Sequence, residues 1–314
     1  IQGETTGWVE LAAEEGFMVV APEWQSRALV EGTSDTKPNF FNCDGLEREK
    51  LIEWIEMLEK KYPQIDTSRI YVTGLSAGAS ASTLYGALYS DVFAAVGAVS
   101  GPGVDKAELE EVVKTYEGGE VPWLYICGDH DFFGMIPVDG SSTNSFQVAP
   151  GVYIQSVDPA SSMFSFIRSY QKINGLDVSK TYDMSLNEYY GIKFDKQEWI
   201  KLGFKDALEG TLANENGNII KMLAIKDQAH WNYKPEAAYI WDFFQDYARD
   251  TETGELIREN SGALERDGEG RYVLGDLVFS AVAGAGGSQE RKTVRLEIIP
   301  PEGAVGQEAA SGIW

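Results

Sequence analysis

The chain has 314 residues, of which 43% are hydrophobic and 24% charged, a composition typical of a globular protein with a sizeable core. Its formal net charge of −23 disfavours nucleic acid and anionic membranes as partners, because both would repel it. No apolar run in the sequence is long enough to span a bilayer, and two cysteines, Cys43 and Cys127, are too few for a disulfide framework.

Predicted helices and strands alternate along the first half of the chain. Residues 6–15 have the apolar spacing of a helix, and FMVVA at 17–21 is typical of a parallel strand buried on both faces. A long polar loop then begins at Pro22. The further predicted elements are a helix over 45–62, a strand over 70–73, a helix to about Tyr89, a strand over 93–100, a helix over 106–116 and a strand over 121–127.

The second half is less regular, although it ends on a clear strand and helix. Apolar spacing again separates the helices from the strands. In chain order we expect a loop over 132–159, a helix over 161–173, strands over 182–194 and 207–214 with a short helix near 197–202 between them, a strand over 219–225 and a closing helix over 235–247.

This alternation predicts an α/β fold with a mostly parallel sheet flanked by helices. Glycines become frequent beyond Thr251, and strands are predicted there over 271–274, 276–281 and 293–299. We therefore predict two regions. Residues 1–250 form the α/β domain, and residues 251–314 form a glycine-rich tail or a partial β module.

The motif GLSAG at residues 74–78 lies between a predicted strand and a predicted helix. A Gly-x-Ser-x-Gly turn in this context indicates a nucleophile elbow, in which Ser76 stands on a sharp turn. Gly74 and Gly78 lack a Cβ and allow the strand and the helix to approach closely. The backbone N–H of Ala77 would point at a developing oxyanion. The alternative is a glycine-rich turn between strand and helix that has no catalytic role, as can occur in any α/β protein.

A serine nucleophile needs a base and an orienting acid. The chain has two histidines. His230 follows a late strand and precedes the closing helix, so it is the preferred base, whereas His130 is interpreted as a loop histidine at the rim of the site. Asp129 and Asp131 both follow a strand and both remain candidate acids.

Asp227 is a weaker candidate acid, because its place at a strand end favours a turn role. No His-x-x-x-His or Cys-x-x-Cys spacing indicates zinc, and no convincing phosphate loop or dinucleotide fingerprint occurs. We therefore predict no metal and no cofactor.

Four stretches resemble the polyhydroxybutyrate-depolymerase and feruloyl/acetyl-xylan-esterase-like branch of the α/β hydrolases. The resemblance covers roughly residues 7–250, with a poorly matched stretch over 176–218. In the acid segment a Gly-x-x-Asp precedes Ile-Pro, which assigns the family's acid to Asp131. The matching stretches are GWVELAAEEGFMVVAPE, IDTSRIYVTGLSAGASASTLYGALYSDVFAAVGAVSG, VPWLYICGDHDFFGMIP and DQAHWNY followed by the helix with IWDFF.

The resemblance also implies strands upstream of Gly7, one of which is followed by a loop that supplies a second oxyanion N–H. We therefore expect an incomplete N-terminal side of the sheet, an exposed sheet edge and an oxyanion hole with Ala77 as its one donor. Losing one such donor costs about 10²–10³ in rate.

The resemblance implies a secreted or cell-surface serine esterase that acts through an acyl-enzyme on polysaccharide-linked or polymeric esters. The predicted catalytic residues are Ser76, Asp131 and His230, and Trp24 and Trp231 are candidate substrate-binding residues. One alternative is a serine peptidase of the same fold. Another is a catalytically silent, hydrolase-like binding module. The expected partner is an ester substrate, with no nucleic acid and no membrane insertion.

Overall fold

The computed structural model describes residues 6–21, 48–101, 106–131, 145–149, 152–155, 162–180, 192–258, 265–266, 272–273, 277–279 and 292–294. Trp24, Cys43 and the loop predicted after Pro22 lie outside these residues. The chain divides into two compact units, Ile1–Ser261 and Gly262–Trp314.

The described part of the first unit contains six α-helices and one short 3-10 helix, Val178–Lys180. Glycine ends the first of them as predicted, since Gly16 has a φ of 79° and its N–H donates to the carbonyl of Ala12. The helices are α1 (Trp8–Glu15), α2 (Arg48–Lys61), α3 (Ala77–Leu88), α4 (Lys106–Lys114), α5 (Ser162–Ile173) and α6 (Glu236–Gln245).

The described part of the first unit also contains ten strands, and six of them form the central sheet. The strands are β1 (Tyr71–Leu75), β2 (Ala95–Val99), β3 (Trp123–Gly128), β4 (Ser145–Ala149), β5 (Val152–Gln155), β6 (Lys196–Leu202), β7 (Lys205–Asn214), β8 (Gly217–Ile225), β9 (Tyr247–Arg249) and β10 (Leu256–Arg258).

The central sheet has the strand order β1–β2–β3–β8–β7–β6. Its first four strands run parallel, and β7 and β6 continue the sheet antiparallel. Strands β2 and β3 are buried along their whole length because both faces of the sheet are covered. The predicted α/β class with a mostly parallel sheet flanked by helices is confirmed.

Two apolar clusters cover the two faces of this sheet. Side chains of α3, α4 and α5 pack with Trp123 and Tyr125 of β3 in one cluster. Side chains of α6 pack with Leu124 and Ile126 of the same strand in the other. The alternation along β3 follows from the two-residue period of a strand. The layering leaves the carboxyl ends of β1, β3 and β8 at one edge of the sheet, where the predicted site residues follow.

The strand predicted over 17–21 is wrong. These residues have no regular structure, and the side chains of Met18, Val19 and Val20 are exposed. The Phe17 ring stacks on the Trp241 ring of α6 at a centroid distance of 4.1 Å. An apolar run becomes a buried strand only beside a neighbouring strand, and none of the described strands pairs with it.

Two further predictions in the second half are corrected. The short helix expected near 197–202 is strand β6, because Ile200 and Leu202 alternate with exposed residues and pair with β7. The loop expected over 132–159 contains the antiparallel hairpin of β4 and β5. The strand expected over 182–194 falls largely on residues outside the described ranges.

Strand β10 pairs antiparallel with β9, so the chain just beyond the predicted boundary at residue 250 belongs to the first unit. The described part of the second unit contains two short antiparallel pairs. None of the described helices combines the length and the apolar character that crossing a bilayer requires. The pairs join β11 (Glu265–Arg266) with β12 (Tyr272–Val273) and β13 (Leu277–Phe279) with β14 (Lys292–Val294).

Candidate active site

Ser76 lies at the junction of β1 and α3, in a backbone conformation that residues other than glycine rarely adopt. Its φ is 60° and its ψ is −119°. The Ser76 N–H donates to the carbonyl of Val99 at 2.9 Å, and the Ser76 carbonyl accepts from the N–H of Ala79 at 3.0 Å. A non-glycine residue in this region is strained and persists only where its surroundings hold it in place. The turn therefore presents the Ser76 hydroxyl at the carboxyl edge of the sheet.

The close approach at this turn depends on Gly74 rather than on both motif glycines. A Cβ added at Gly74 would lie 2.4 Å from the carbonyl carbon of Gly78. A Cβ added at Gly78 would meet no atom within 4 Å. The expectation that both glycines permit the approach is therefore correct for Gly74, whereas Gly78 contributes its backbone to the contact. Ala77 is the first residue of α3, and its role as oxyanion donor stays a prediction.

Asp131 follows the end of β3 and is fully buried, with 0% of its surface exposed. Its N–H donates to the carbonyl of Gly128 at 3.2 Å, which closes a tight turn after the strand. A Cβ at Gly128 would lie 2.0 Å from the carbonyl oxygen of Gln228. Glycine is therefore required where the turn after β3 touches the loop after β8.

Three hydrogen bonds join these two loops, two between backbone groups and one from a backbone N–H to a side chain. The N–H of Asp129 donates to the Ile225 carbonyl at 3.0 Å, and the N–H of His130 donates to the Gln228 carbonyl at 2.9 Å. The N–H of Gln228 in turn donates to Oδ1 of Asp129 at 3.3 Å. Asp129 is thus a turn residue that organises the loops. Parallel pairing of β3 with β8 brings the loops together at one edge of the sheet.

The three predicted catalytic side chains meet at this edge. The distance from His230 Nε2 to Ser76 Oγ is 3.0 Å. His230 Nδ1 lies 3.0 Å from Oδ1 and 3.1 Å from Oδ2 of Asp131. The His230 side chain is 15% exposed, so the ring is shielded on most sides. This geometry allows Nδ1–H to donate to Asp131 while Nε2 accepts the proton of the serine hydroxyl.

The competing residues lie near the site but are turned away from it. The His130 ring is exposed, and its Nδ1 contacts Asp129 Oδ1 at 2.6 Å. Asp227 is exposed and has a φ of 55°, and its carbonyl accepts from Lys205 Nζ at 2.5 Å. Neither aspartate is paired with the His230 ring in the hydrogen bonds described for the site. The geometry therefore favours Asp131 over Asp129 and Asp227 as the orienting acid.

Among the described residues, Asp129, His130 and Asp227 form the one group whose potential metal-ligand atoms all lie within 4.8 Å of one another. Two of the three residues are exposed. Exposed acidic groups often cluster without an ion, and here the Asp129 carboxylate already accepts the N–H of Gln228 from the neighbouring loop and contacts His130 Nδ1. The prediction that the protein uses no metal stays a prediction.

Glu236 is a buried carboxyl group near the site that the sequence analysis missed. It is the first residue of α6, six positions after His230. The pKa of Glu236 is raised to about 8, mainly by burial and also by the charge of Asp131, whereas a backbone hydrogen bond from Tyr233 lowers the pKa in part. Burial likewise raises the pKa of the Cys127 thiol well above its ordinary value, so this cysteine is an inert core residue.

Trp231 directly follows His230 and is largely exposed. The next aromatic residue of the loop, Tyr233, accepts a hydrogen bond at its hydroxyl from the N–H of Phe204 at 3.0 Å. Phe204 was missed because it lies in the stretch over 176–218 that matches the family poorly. Trp24, the other predicted substrate-binding residue, lies outside the described residues.

Comparison with known proteins finds a curated relative that matches part of this chain. Poly(3-hydroxyalkanoate) depolymerase C of Paucimonas lemoignei is 28% identical over 212 residues, which cover 58% of this chain and 50% of that protein. The chain thus spans about half the length of the relative. This match agrees with the resemblance found in the sequence. No protein-family model matches the chain.

Solved structures that match part of the chain include an esterase and a peptidase. Acetyl xylan esterase from Aspergillus awamori is 13% identical, covers 77% of this chain and 82% of its own, and has a TM-score of 0.45. An acylaminoacyl peptidase from Pyrococcus horikoshii is 12% identical, covers 63% of this chain and 27% of its own, and has a TM-score of 0.33. Similarities at this level support no conclusion about this chain.

Proposed function

We propose that the protein is a serine carboxylic ester hydrolase that acts through an acyl-enzyme. The observation that carries this proposal is the 3.0 Å distance between Ser76 Oγ and His230 Nε2, at a serine held in a strained conformation. A serine hydroxyl is a weak nucleophile until an adjacent base accepts its proton. The relative named above is a depolymerase of a polyester, which supports the same chemistry.

The geometry supports a mechanism in two halves. His230 Nε2 takes the proton of Ser76 while Oγ attacks the ester carbonyl, and the backbone N–H of Ala77 donates to the developing oxyanion. His230 then gives the proton to the leaving alcohol, and water repeats the sequence on the acyl-enzyme. Asp131 holds the ring through Nδ1, and its complete burial makes that hydrogen bond strong.

We infer that the substrate is a polymeric or polysaccharide-linked ester. The family resemblance and the name of the curated relative support this class. An extracellular or cell-surface location belongs to the same proposal, because a polymer of this kind does not cross a membrane.

Hydrolysis of p-nitrophenyl acetate and methyl ferulate tests the proposal. We expect activity in the wild type, its loss in Ser76→Ala and His230→Ala, and normal activity in His130→Ala, the matched histidine control. A wild type that is inactive on every ester would contradict the proposal and favour a binding module. Faster hydrolysis of a peptide p-nitroanilide than of the esters would instead favour a peptidase.

A further inference from the structure

The tip of the β6–β7 hairpin lies at the same edge of the sheet as the triad. Ala207 of β7 pairs with Ile225, the last residue of β8, and Ile225 also pairs with Gly128 at the end of β3. The hairpin turns between Leu202 and Lys205, directly beyond these positions. The tip and the loop that carries His230 are therefore neighbours at the carboxyl edge.

Several contacts fix the hairpin tip to the histidine loop. The N–H of Phe204 donates to the hydroxyl of Tyr233 at 3.0 Å, and the two rings are in edge contact with a centroid distance of 5.2 Å. Gly203 has a φ of 57°, and a Cβ added there would lie 2.5 Å from the Tyr233 hydroxyl. Lys205 Nζ donates to the Asp227 carbonyl. The tip is therefore held rigidly against this loop.

Two large aromatic side chains at this edge are nevertheless turned toward solvent. Phe204 is 81% exposed and Trp231 is 66% exposed, and these are the two highest values among the exposed large hydrophobic side chains of the described residues. We call these two residues the aromatic rim. Exposed rings on a rigidly held backbone beside a reactive centre are typical of a ligand-binding surface rather than of a folding core.

Three polar groups beside the aromatic rim form hydrogen bonds within the protein. The Tyr233 hydroxyl accepts from Phe204, Lys205 Nζ donates to Asp227, and Gln228 Nε2 donates to the Trp231 carbonyl at 2.9 Å. A surface that binds a sugar needs hydrogen-bonding groups for the hydroxyls. The rim instead offers a phenyl ring and an indole ring, which favours an apolar chain as its ligand.

We propose that the aromatic rim is a subsite for the apolar chain of the ester substrate, beyond the reacting carbonyl. This inference rests on the proposed ester hydrolysis and narrows its substrate to esters with an extended apolar chain. A short ester reaches Ser76 without touching the rim, whereas a long one gains binding area on it. Phe204 and Trp231 are thus specificity-determining residues, and neither takes part in the chemical steps.

Kinetics with two p-nitrophenyl esters of different chain length test the subsite. In Phe204→Ala we expect kcat/KM for p-nitrophenyl octanoate to fall by about tenfold, mainly through KM, because a phenyl contact is lost. The value for p-nitrophenyl acetate should stay within about twofold. Phe204→Leu keeps an apolar side chain and should retain most of the octanoate activity. In Trp231→Ala we likewise expect kcat/KM to fall for p-nitrophenyl octanoate and to stay nearly unchanged for p-nitrophenyl acetate.

Trp199→Ala is the matched control. This tryptophan is 53% exposed on the same hairpin, but it lies three residues before Leu202 and therefore about 10 Å from the tip. Its variant should hydrolyse both esters normally. The subsite is contradicted if Phe204→Ala leaves octanoate hydrolysis unchanged, slows both esters equally, or impairs a feruloylated oligosaccharide instead of octanoate. A wild type inactive on both esters would contradict the proposed function itself.

Discussion

The backbone of Gly128 lies so close to that of Gln228 that an added Cβ would be 2.0 Å from the Gln228 carbonyl oxygen. Gly128 ends the strand that leads to Asp131, and Gln228 belongs to the loop that carries His230. The same carbonyl accepts the N–H of His130. The contact therefore sets the spacing between the acid and the base of the proposed triad, although neither residue has a chemical role.

Gly128→Ala should separate the two loops. The backbone offers no flexible side chain that could move aside, so we expect a destabilisation of about 1–3 kcal/mol from overpacking. A displacement of His230 by about 1 Å would lower kcat/KM by about 10²-fold. Urea denaturation and ester hydrolysis measure the two effects. Unchanged activity in a stably folded variant would show that this contact does not position the triad.

The two motif glycines should respond differently to alanine. Gly74→Ala places its Cβ 2.4 Å from the Gly78 backbone and should destabilise the fold by about 1–3 kcal/mol. Gly78→Ala points into open space in the first turn of α3, and we expect it to be neutral or stabilising by up to about 1 kcal/mol. Thermal unfolding of both variants measures the difference, and equal destabilisation would contradict the described geometry of the elbow.

Glu236 should make the stability depend on pH. Its pKa rises from 4.5 to about 8 on folding, so the folded state holds a proton that the unfolded state has released. The stability that this bound proton contributes is fully present below pH 4.5 and is lost as the pH rises through about 8. Over that range the free energy of unfolding falls by no more than about 1.4 kcal/mol per pH unit. Glu236→Gln should be more stable than the wild type above this range.

Urea unfolding of the wild type and of Glu236→Gln across this pH range checks the slope. Glu215→Gln is the control, because Glu215 is exposed in a turn. The difference in unfolding free energy between wild type and Glu236→Gln should grow with pH, and the difference for Glu215→Gln should stay constant. A constant difference for Glu236→Gln would show that this carboxyl is not held protonated by burial.

Arg249 should be important for stability although it lies outside the site. Its buried guanidinium donates to the carbonyls of Phe93, Glu120 and Gly254 at 3.1, 2.6 and 3.3 Å. Arg249→Met leaves these acceptors without their donor and should cost about 2–4 kcal/mol. Lys114→Met breaks an exposed ion pair with Glu111 and should cost under about 1 kcal/mol. Denaturant unfolding measures both losses of stability, and a similar loss in Arg249→Met and Lys114→Met would contradict this role of Arg249.

Much of the fold and the core of the candidate site followed from local sequence pattern. Short stretches of sequence predict the strand before Ser76 and the glycine of the elbow. They also predict that Asp131 and His230 follow the ends of strands. The chain has only two histidines, which restricts the choice of base, whereas the choice of Asp131 over Asp129 came from the family resemblance.

The corrections concern features that depend on distant partners. The run at 17–21 is apolar but has no described neighbour strand, and β6 became a strand because β7 pairs with it. The contact of Gly128 with Gln228 joins residues that are 100 positions apart, and the high pKa of Glu236 results from burial by the folded chain. These features cannot be predicted from neighbouring residues in the sequence.

Labelling with a fluorophosphonate probe tests the central claim most directly, because it asks only whether Ser76 is an activated nucleophile. Peptide mapping of the labelled wild type should find the probe on Ser76. Labelling should be absent in Ser76→Ala and strongly slowed in His230→Ala, while His130→Ala reacts normally. Labelling of Ser76→Ala, or of another serine in the wild type, would contradict the claim that Ser76 and His230 form the reactive centre.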